Sequence, residues 1–438
     1  IFRMRTGMLR SLAVAALLAC PALWVMSGAA VCLGEDWRQW RGPAGDGVSG
    51  ERGLPQRWTR EQNVVWRVEL PGPGNSTPVI SGDRIFLTQP PAEKAQRSLL
   101  CLDVQSGKTV WSRTVEWLGA DPTHSTNPMC SSSAVTDGER VIAWFGSAGL
   151  HCWDIEGRLQ WSRDLGVQQH IWGYGSSPVI AEGRVYLNFG PGENSALYAL
   201  DVKTGEVLWQ RAEPLDRDGT AEAKFQSADY TGSWSTPVIR TLAGRSQLLL
   251  SVPFRVRSFD PVDGRELWVC EGTNALCYTS PLVHGDSVIA MGGYNGMAIC
   301  VRADGSGDVT GSHRVWRHPK TQQRIGSGVV HDGHIYIHND PGIVECFDVV
   351  TGELKWEQRL SGPGGKGTNW SSVTVTADAV CYSLNQSGDC FVWRAAPGGY
   401  EQIAVNSLGE SSNSSAAISN GRLFLRTHKA LWCLGSKE

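Results

Sequence analysis

The chain has 438 residues, 19% of them charged, with a formal net charge of −3. That near-neutral balance gives no support to nucleic-acid binding, which would need a basic stripe, and the length suits one large closed repeat domain or two to three ordinary ones. The 51 glycines and 19 tryptophans suit a turn-rich β protein with bulky aromatics wedged between sheets; no amphipathic helical stretch of useful length is found.

Residues 1–34 predict an export signal. Arg3, Arg5 and Arg10 precede an apolar run from Leu12 to about Met26, and Ser27-Gly28-Ala29-Ala30 supplies the small residues of a cleavage site. The expected location is the periplasm or cell envelope. Leu17-Leu18-Ala19-Cys20 also resembles a lipobox, which makes Cys20 a candidate for lipidation, although apolar residues continue past it. Pro21 interrupts a run already short for a bilayer, so no spanning segment is expected in the mature chain. Residues 35–62 read as an N-terminal arm.

From residue 63 onward the sequence repeats. A Ser/Thr-rich stretch with Pro enters a short β run, then come a Gly turn and a second run. A third run ends in Asp, and a second Gly turn leads to a terminal Trp. Clear copies open at Ser76-Thr77-Pro78-Val79-Ile80 and Ser176-Ser177-Pro178-Val179-Ile180, closing at Trp111 and Trp209. The terminal tryptophans Trp111, Trp161, Trp209, Trp268, Trp316 and Trp356 are spaced 50, 48, 59, 48 and 40 residues apart. A period near this length, built from four short strands, is a β-propeller blade. A seventh unit starts at Asn369-Trp370-Ser371-Ser372 with a degraded last strand near 400–405. An eighth starts at Ser414-Ser415 and stops at Leu431-Trp432-Cys433-Leu434, one strand short. The missing strand has its pattern at 63–68, ahead of the first full unit. The expected fold class is therefore all-β: residues 63–438 form an eight-bladed β-propeller of four-stranded antiparallel blades, a monomer closed by pairing that N-terminal strand with the C-terminal three. Seven blades is the alternative.

The 12 cysteines of an exported chain suggest a disulfide framework, but the repeat argues against one. Cys101, Cys152, Cys300, Cys346 and Cys433 share a single repeat position that Ala199 and Ser258 fill elsewhere, and Cys390 fits it more loosely. This reads as a buried slot for a small side chain, and equivalent positions on different blades lie too far apart to bridge. Cys270 and Cys277 are the one pair close enough in sequence to test. Gly107, Gly205, Gly264 and Gly352 read as hairpin glycines, and the Asp before each turn as a hydrogen-bond acceptor for turn amides. The recurrent Asp, Gly and Trp are thus scaffold.

The repeat Leu-Asp-x-x-[Thr/Ser]-Gly-x-x-x-Trp, at 102–111 and 200–209 and with Phe leading at 347–356, resembles that of the PQQ-like propeller superfamily. Trp37-Arg38-Gln39-Trp40-Arg41-Gly42-Pro43 is similar to the opening of many exported bacterial members, notably planctomycete ones. The resemblance implies one of two roles. BamB-like members are scaffolds in outer-membrane protein assembly, which implies an envelope protein partner. Quinoprotein dehydrogenases hold PQQ and Ca²⁺ on the axis. The adjacent Cys-Cys pair of many such enzymes is absent here, as is Cys-x-x-Cys-His, so no catalytic residue, metal or cofactor is assigned.

In a propeller the loop entering each innermost strand helps to form one rim of the axial channel. Those loops hold the candidate rim residues: His124, Asn127, His170, Trp172, Tyr174, Tyr230, Trp234, Arg324, Lys366, Asn369 and Trp370. Mixed aromatics and hydrogen-bonding groups suit a ligand or a protein partner, and Trp172, Trp234 and Trp370 suit stacking against a carbohydrate or small molecule. His331, His334 and His338 are spaced like metal ligands but fall on a hairpin, which favours a surface reading. Asp304-Gly305-Ser306-Gly307-Asp308 resembles the start of a calcium loop, yet lies where a hairpin turn is due. The run 362–368 echoes a phosphate loop in the wrong order.

Overall fold

The computed structural model describes residues 1, 34–90, 96–119, 121–213, 227–294, 296–319 and 322–436, the side chains of Ala228 and Lys366 excepted. The export signal and Cys20 lie outside these residues, Ile1 and Gly34 apart. Eight four-stranded antiparallel sheets, two of them extended by a short fifth strand, follow one another along the chain as the blades of a propeller. Blades 1 to 3 start at innermost strands Val79–Ser81, Val135–Thr136 and Val179–Ala181. Blades 4 to 6 start at Val238–Leu242, Leu282–His284 and Val329–His331. Blade 7 starts at Thr374–Thr376 and blade 8 at Ala417–Ser419.

Blade 8 takes its outer strand from the other end of the repeat array. Val64–Glu69 pairs antiparallel with Ala430–Leu434, with Val64 opposite Leu434 and Glu69 opposite Ala430. No sheet edge is therefore left at the ring closure. Blade 7 keeps a complete outer strand, Glu401–Ser407, which excludes the seven-bladed alternative.

Two devices lock neighbouring blades together. On the inside, at seven of the eight blade junctions, a backbone N–H at the entry to the innermost strand donates to a hydroxyl of the next blade. Thr77 donates to Ser133, Ser133 to Ser177, Ser177 to Thr236 and Thr236 to Ser280, at 2.9–3.1 Å. Ser280 then donates to Ser327, Ser327 to Ser372 and Ser372 to Ser415, at 2.9–3.0 Å. At the seam between blades 8 and 1, Ser414 Oγ donates to the Ser76 carbonyl (3.1 Å). The fully buried Arg426 there donates to Ser76, to the Thr88 carbonyl and to Gln89 Oε1. Each such bond contributes about 1 kcal/mol net, but leaving its buried groups unpaired would cost more.

On the outside, the terminal Trp reaches across. Its Nε1 donates to a turn carbonyl of the following blade: Trp66 to Val104, Trp111 to Ile155, Trp161 to Val202, Trp209 to Pro261, Trp316 to Val349 and Trp356 to Ala396, at 2.9–3.1 Å. Blade 4 departs from this pattern. Trp268 is fully buried and donates to Gln247 Oε1 in its own sheet. The strand Gly307–Asp308 lies over it, parallel to the outer strand. The calcium-like run 304–308 thus belongs to an excursion capping blade 4, and no cluster of three or more metal-ligating side chains occurs among the described residues.

Cys101, Cys152, Cys300, Cys346 and Cys433 each stand opposite the outer-strand Trp of their own blade, immediately before a β-bulge. The slot is small because an indole fills the space beside it. Cys390 is not in this position: in blade 7 the residue before the bulge is Val392, opposite Ala404, and Cys390 lies two residues earlier. All ten described cysteines are buried and free, Cys270 and Cys277 included. Burial pushes the Cys101, Cys152 and Cys433 thiols up to about 12, so they stay protonated.

Candidate functional site: an axial cup

The loops between blades lie on one face of the ring, and the turn joining the first two strands of each blade lies on the other. The N-terminal arm crosses the axis on this second face. Trp37 exchanges backbone hydrogen bonds with Ile80 of blade 1, and Arg38 donates to the Asp137 carbonyl of blade 2 (3.1 Å). Arg41 is 3% exposed and donates to the Ser327 and Gly328 carbonyls of blade 6. Arg240 of blade 4 meets Asp46 (3.4 Å). Val48–Ser49 adds a parallel strand to blade 7, and Glu51 accepts from the Asn420 and Gly421 amides of blade 8. Trp40, carried between these anchors, lines the floor of a cavity of ≈ 1400 Å³. The channel is thereby converted into a cup that opens on the loop face.

One register position builds the cup's wall. The residue two before each belt hydroxyl lines the cavity in all eight blades: Asn75, Ser131, Gly175, Trp234, Tyr278, Ile325, Trp370 and Asn413. The residue three before it is buried in every blade, as Gly74, Cys130, Tyr174, Ser233, Cys277, Arg324, Asn369 and Ser412. Consecutive side chains in extended backbone point in opposite directions, which produces this alternation. The wall is chemically divided. Blades 8, 1, 2 and 3 contribute small or amide side chains, and blades 4 to 7 contribute large apolar ones.

The aromatic half is fixed edge-on. Trp234 Nε1 donates to the Gly173 carbonyl (3.0 Å), and Trp370 Nε1 to Asp340 Oδ1 (2.6 Å). Burial raises the Asp340 carboxyl, and the indole N–H works against that rise. Trp234 packs against Tyr278 (4.9 Å between centroids) and Trp172 (6.2 Å). His170 meets its ring at 4.9 Å, nearly perpendicular. With their polar edges already paired to protein, the two indoles leave ring faces for a ligand. Across the cup, Asn75 and Asn413 both donate to the Thr126 carbonyl (3.0 and 2.8 Å), tying the loop that carries His124 to the seam.

Six of the predicted rim residues line this cavity: His124, Asn127, Trp172, Tyr230, Trp234 and Trp370. Asn127 also braces the rim, donating to the Trp172 and Tyr174 carbonyls. Four others lie behind the wall. His170 is 4% exposed, sits against Trp172 and Trp234, and burial lowers its pKa. Tyr174 packs on Trp144 at 4.8 Å. Arg324 pairs with Glu345 (2.9 Å) in full burial, and Asn369 donates to the His338 and Ser371 carbonyls. Tyr174, Arg324 and Asn369 all occupy the inward position of the alternation, which is why they miss the cup. Lys366 belongs to the two-residue strand Gly365–Lys366, in the loop 360–373. Of the histidine trio, His331 and His334 pair across a hairpin, but His338 is completely buried rather than at the surface. Sequence reasoning missed Trp40, Tyr278, Ile325 and Asn413; their register relative to the Ser/Thr belt was the available signal.

Calcium takes six to eight oxygen ligands, carboxylates prominent among them. Glu271 is the one carboxylate lining the cavity among the described residues, and it stands at the outer end rather than on the axis. This donor set does not suit a calcium–quinone pair.

Fold and site together define a closed eight-bladed propeller with a one-ended, half-aromatic axial cup. A family model described as "Outer membrane protein assembly factor BamB" matches residues 59–170, 96–358 and 307–431. The chain belongs to this PQQ-repeat family. Among solved structures it is similar to BamB from Moraxella catarrhalis (14% identity, TM-score 0.60, covering 85% of this chain and 99% of that one). It is also similar to the quinohemoprotein alcohol dehydrogenase from Comamonas testosteroni (12% identity, TM-score 0.66, covering 92% and 81%). The computationally designed Ika8 protein shares 13% identity at a TM-score of 0.54, covering 84% and 98%. At such identities the likeness is one of fold. No curated protein matches the chain.

Proposed function

We propose that this chain is an exported, non-catalytic scaffold of the cell envelope that holds a partner protein at the mouth of its cup. The observation that carries the reading is the cup itself: a closed floor, an open rim, and indole faces whose N–H edges are already committed. Trp, Tyr and Arg in a partly desolvated concavity concentrate binding energy in protein recognition. The BamB description of the family supports an envelope partner. No helix among the described residues is long and apolar enough to cross a membrane.

The test is photo-cross-linking in an envelope extract, with a benzophenone amino acid at position 124 or 230 of the purified protein. A discrete protein adduct is expected, and it should disappear in the Trp172→Ala/Trp234→Ala/Trp370→Ala variant. Adducts no stronger than those from position 203, on the opposite face, would sink the proposal. A second reading, a neutral oligosaccharide in the cup, draws support from amides facing aromatic platforms. Titration with a panel of soluble oligosaccharides, reading tryptophan fluorescence, decides it.

A further inference from the structure

The cavity does not stop at the innermost strands. Between blades 4 and 5 it runs outward to Glu271 and Gly272 at the end of the outer strand Glu266–Glu271. On the other side it reaches Arg314 and Arg317 of the outer strand Arg314–His318. Gly272 makes this branch possible. Its φ is +131°, and a Cβ there would lie 2.7 Å from Ile299 and 3.2 Å from both guanidiniums.

The two arginines are held in place by neutral acceptors. Arg314 Nη1 donates to the Glu271 carbonyl (2.9 Å), and Arg317 Nε to the Gly272 carbonyl (3.3 Å). Neither has a carboxylate within ion-pairing distance among the described residues, whereas neighbouring Arg257 engages both Glu213 and Glu266. Of the side chains lining this end of the groove, Arg314, Arg317 and Glu271 sum to about +1 at neutral pH, while Asp308, outside the lining, interacts electrostatically with Arg314. Between it and the cup stands Asn274, beside Phe254 of blade 4, while Gln323, which also lines the cavity, lies on the loop leading from blade 5 to blade 6. Asn274 Nδ2 and the Gln323 amide have no hydrogen-bond partner among the described residues. Beyond them come Tyr278 and Trp234. The path therefore offers cations outside, free amides midway and aromatic faces inside.

Resting on the scaffold reading, we propose that this groove seats an extended polypeptide segment of the partner. An Asp or Glu of that segment would pair with Arg314 and Arg317, and its apolar or aromatic residues would enter the cup. Guanidinium forks match carboxylates bidentately, side-chain amides complement an extended backbone, and aromatic pockets take the anchors. A neutral glycan would leave the two guanidiniums without a function.

The experiment pans a displayed library of random dodecapeptides against the purified protein, then measures enriched peptides by fluorescence anisotropy. Enriched sequences should combine an acidic residue with Trp, Phe or Leu. The Arg314→Gln/Arg317→Gln variant should weaken their binding by about ten-fold or more, and raised salt should weaken it too. Glu271→Lys should strengthen it, a gain that misfolding cannot produce. Arg302→Gln, on the opposite face, should change nothing. No enrichment, enrichment without acidic residues, or affinity indifferent to Arg314 and Arg317 overturns the proposal. Arginine-dependent capture of a glycan from an array overturns the polypeptide assignment. Failure of the two readings is distinguishable: a rim photo-adduct that persists in the Arg314→Gln/Arg317→Gln variant leaves the scaffold standing without the groove. Arginine-dependent peptide binding without any photo-adduct removes the envelope partner alone.

Discussion

His338 shows how far one side chain departs from its ordinary chemistry inside this ring. It is fully buried, with Nδ1 2.8 Å from Ser383 Oγ and its ring edge-on to Phe391 and Trp393. Burial disfavours the imidazolium and holds its pKa at about 3. His151, His170 and His428 are lowered by burial too. The unfolded chain, with His near its ordinary value of about 6.5, takes up protons below that pH while the folded chain resists. The stability contributed by His338 is thus complete above pH 6.5 and is lost progressively as pH falls from 6.5 towards 3. Its loss approaches about 1.4 kcal/mol per pH unit well below 6.5. Asp121, Asp340 and Glu213, raised by burial, act in the opposite direction. Urea midpoints measured between pH 7.5 and 5 should therefore fall less steeply for His338→Asn than for the wild type. Parallel slopes would show that His338 does not drive the acid sensitivity.

At the scale of the element, the hairpin turns that carry Gly107, Gly157, Gly205, Gly264 and Gly352 are each fitted to an indole from the blade before. Gly205 has φ +68°, and a Cβ there would meet the Trp161 ring at 2.5 Å. The same turn is held by Asp201 Oδ1, which accepts from the Lys203 and Thr204 amides (both 2.9 Å) and so stays below the ordinary carboxylate range. Gly205→Ala should cost about 2 kcal/mol or more, from the left-handed backbone and the displaced indole together. A chemical-denaturation midpoint equal to the wild type would refute this fit. The turn was legible in sequence because Asp, Gly and Trp recur at fixed spacing, and the same spacing located the strand that closes blade 8. The cup was half legible. Trp234 and Trp370 stand immediately before the Ser/Thr pair that marks each blade, and Tyr278 and Ile325 share that register. The loops' aromatic content drew attention to Tyr174 and Asn369, one residue earlier, where extended backbone turns the side chain inward. The arm left no such trace. It occurs once, so no repeat exposes it, and its anchors are backbone groups of five blades and the Arg240 side chain of a sixth, scattered from Ile80 to Gly421.

The whole ring depends on a seam made by residues far apart in sequence. Without Val64–Glu69, the strand Ala430–Leu434 would present a buried apolar edge, with Trp432 and Cys433 uncovered on one side. The Trp66 bond to Val104, which docks blade 8 on blade 1, would also be lost. The Ser414 and Arg426 contacts at the inner wall cannot compensate, because they reach no further out than the second strand of either blade. A chain beginning at Leu70 should therefore expose an unpaired edge and aggregate. The geometry also supplies the remedy. Gly435 N donates to the Asn63 carbonyl at 3.0 Å, so the two strands meet end to end as a hairpin without its loop. Placing residues 63–69 after Gly435 through a two-residue turn should restore blade 8 in a chain that still begins at Leu70. This permuted protein should be monomeric and show a cooperative melt, whereas the simple truncation should not. It also lacks the arm, so its channel should admit a fluorescence quencher to Trp234 and Trp370 from both faces. Monomeric, cooperative folding of the truncation alone would show that the closing strand is dispensable, and aggregation of both chains would place the essential contacts in the arm.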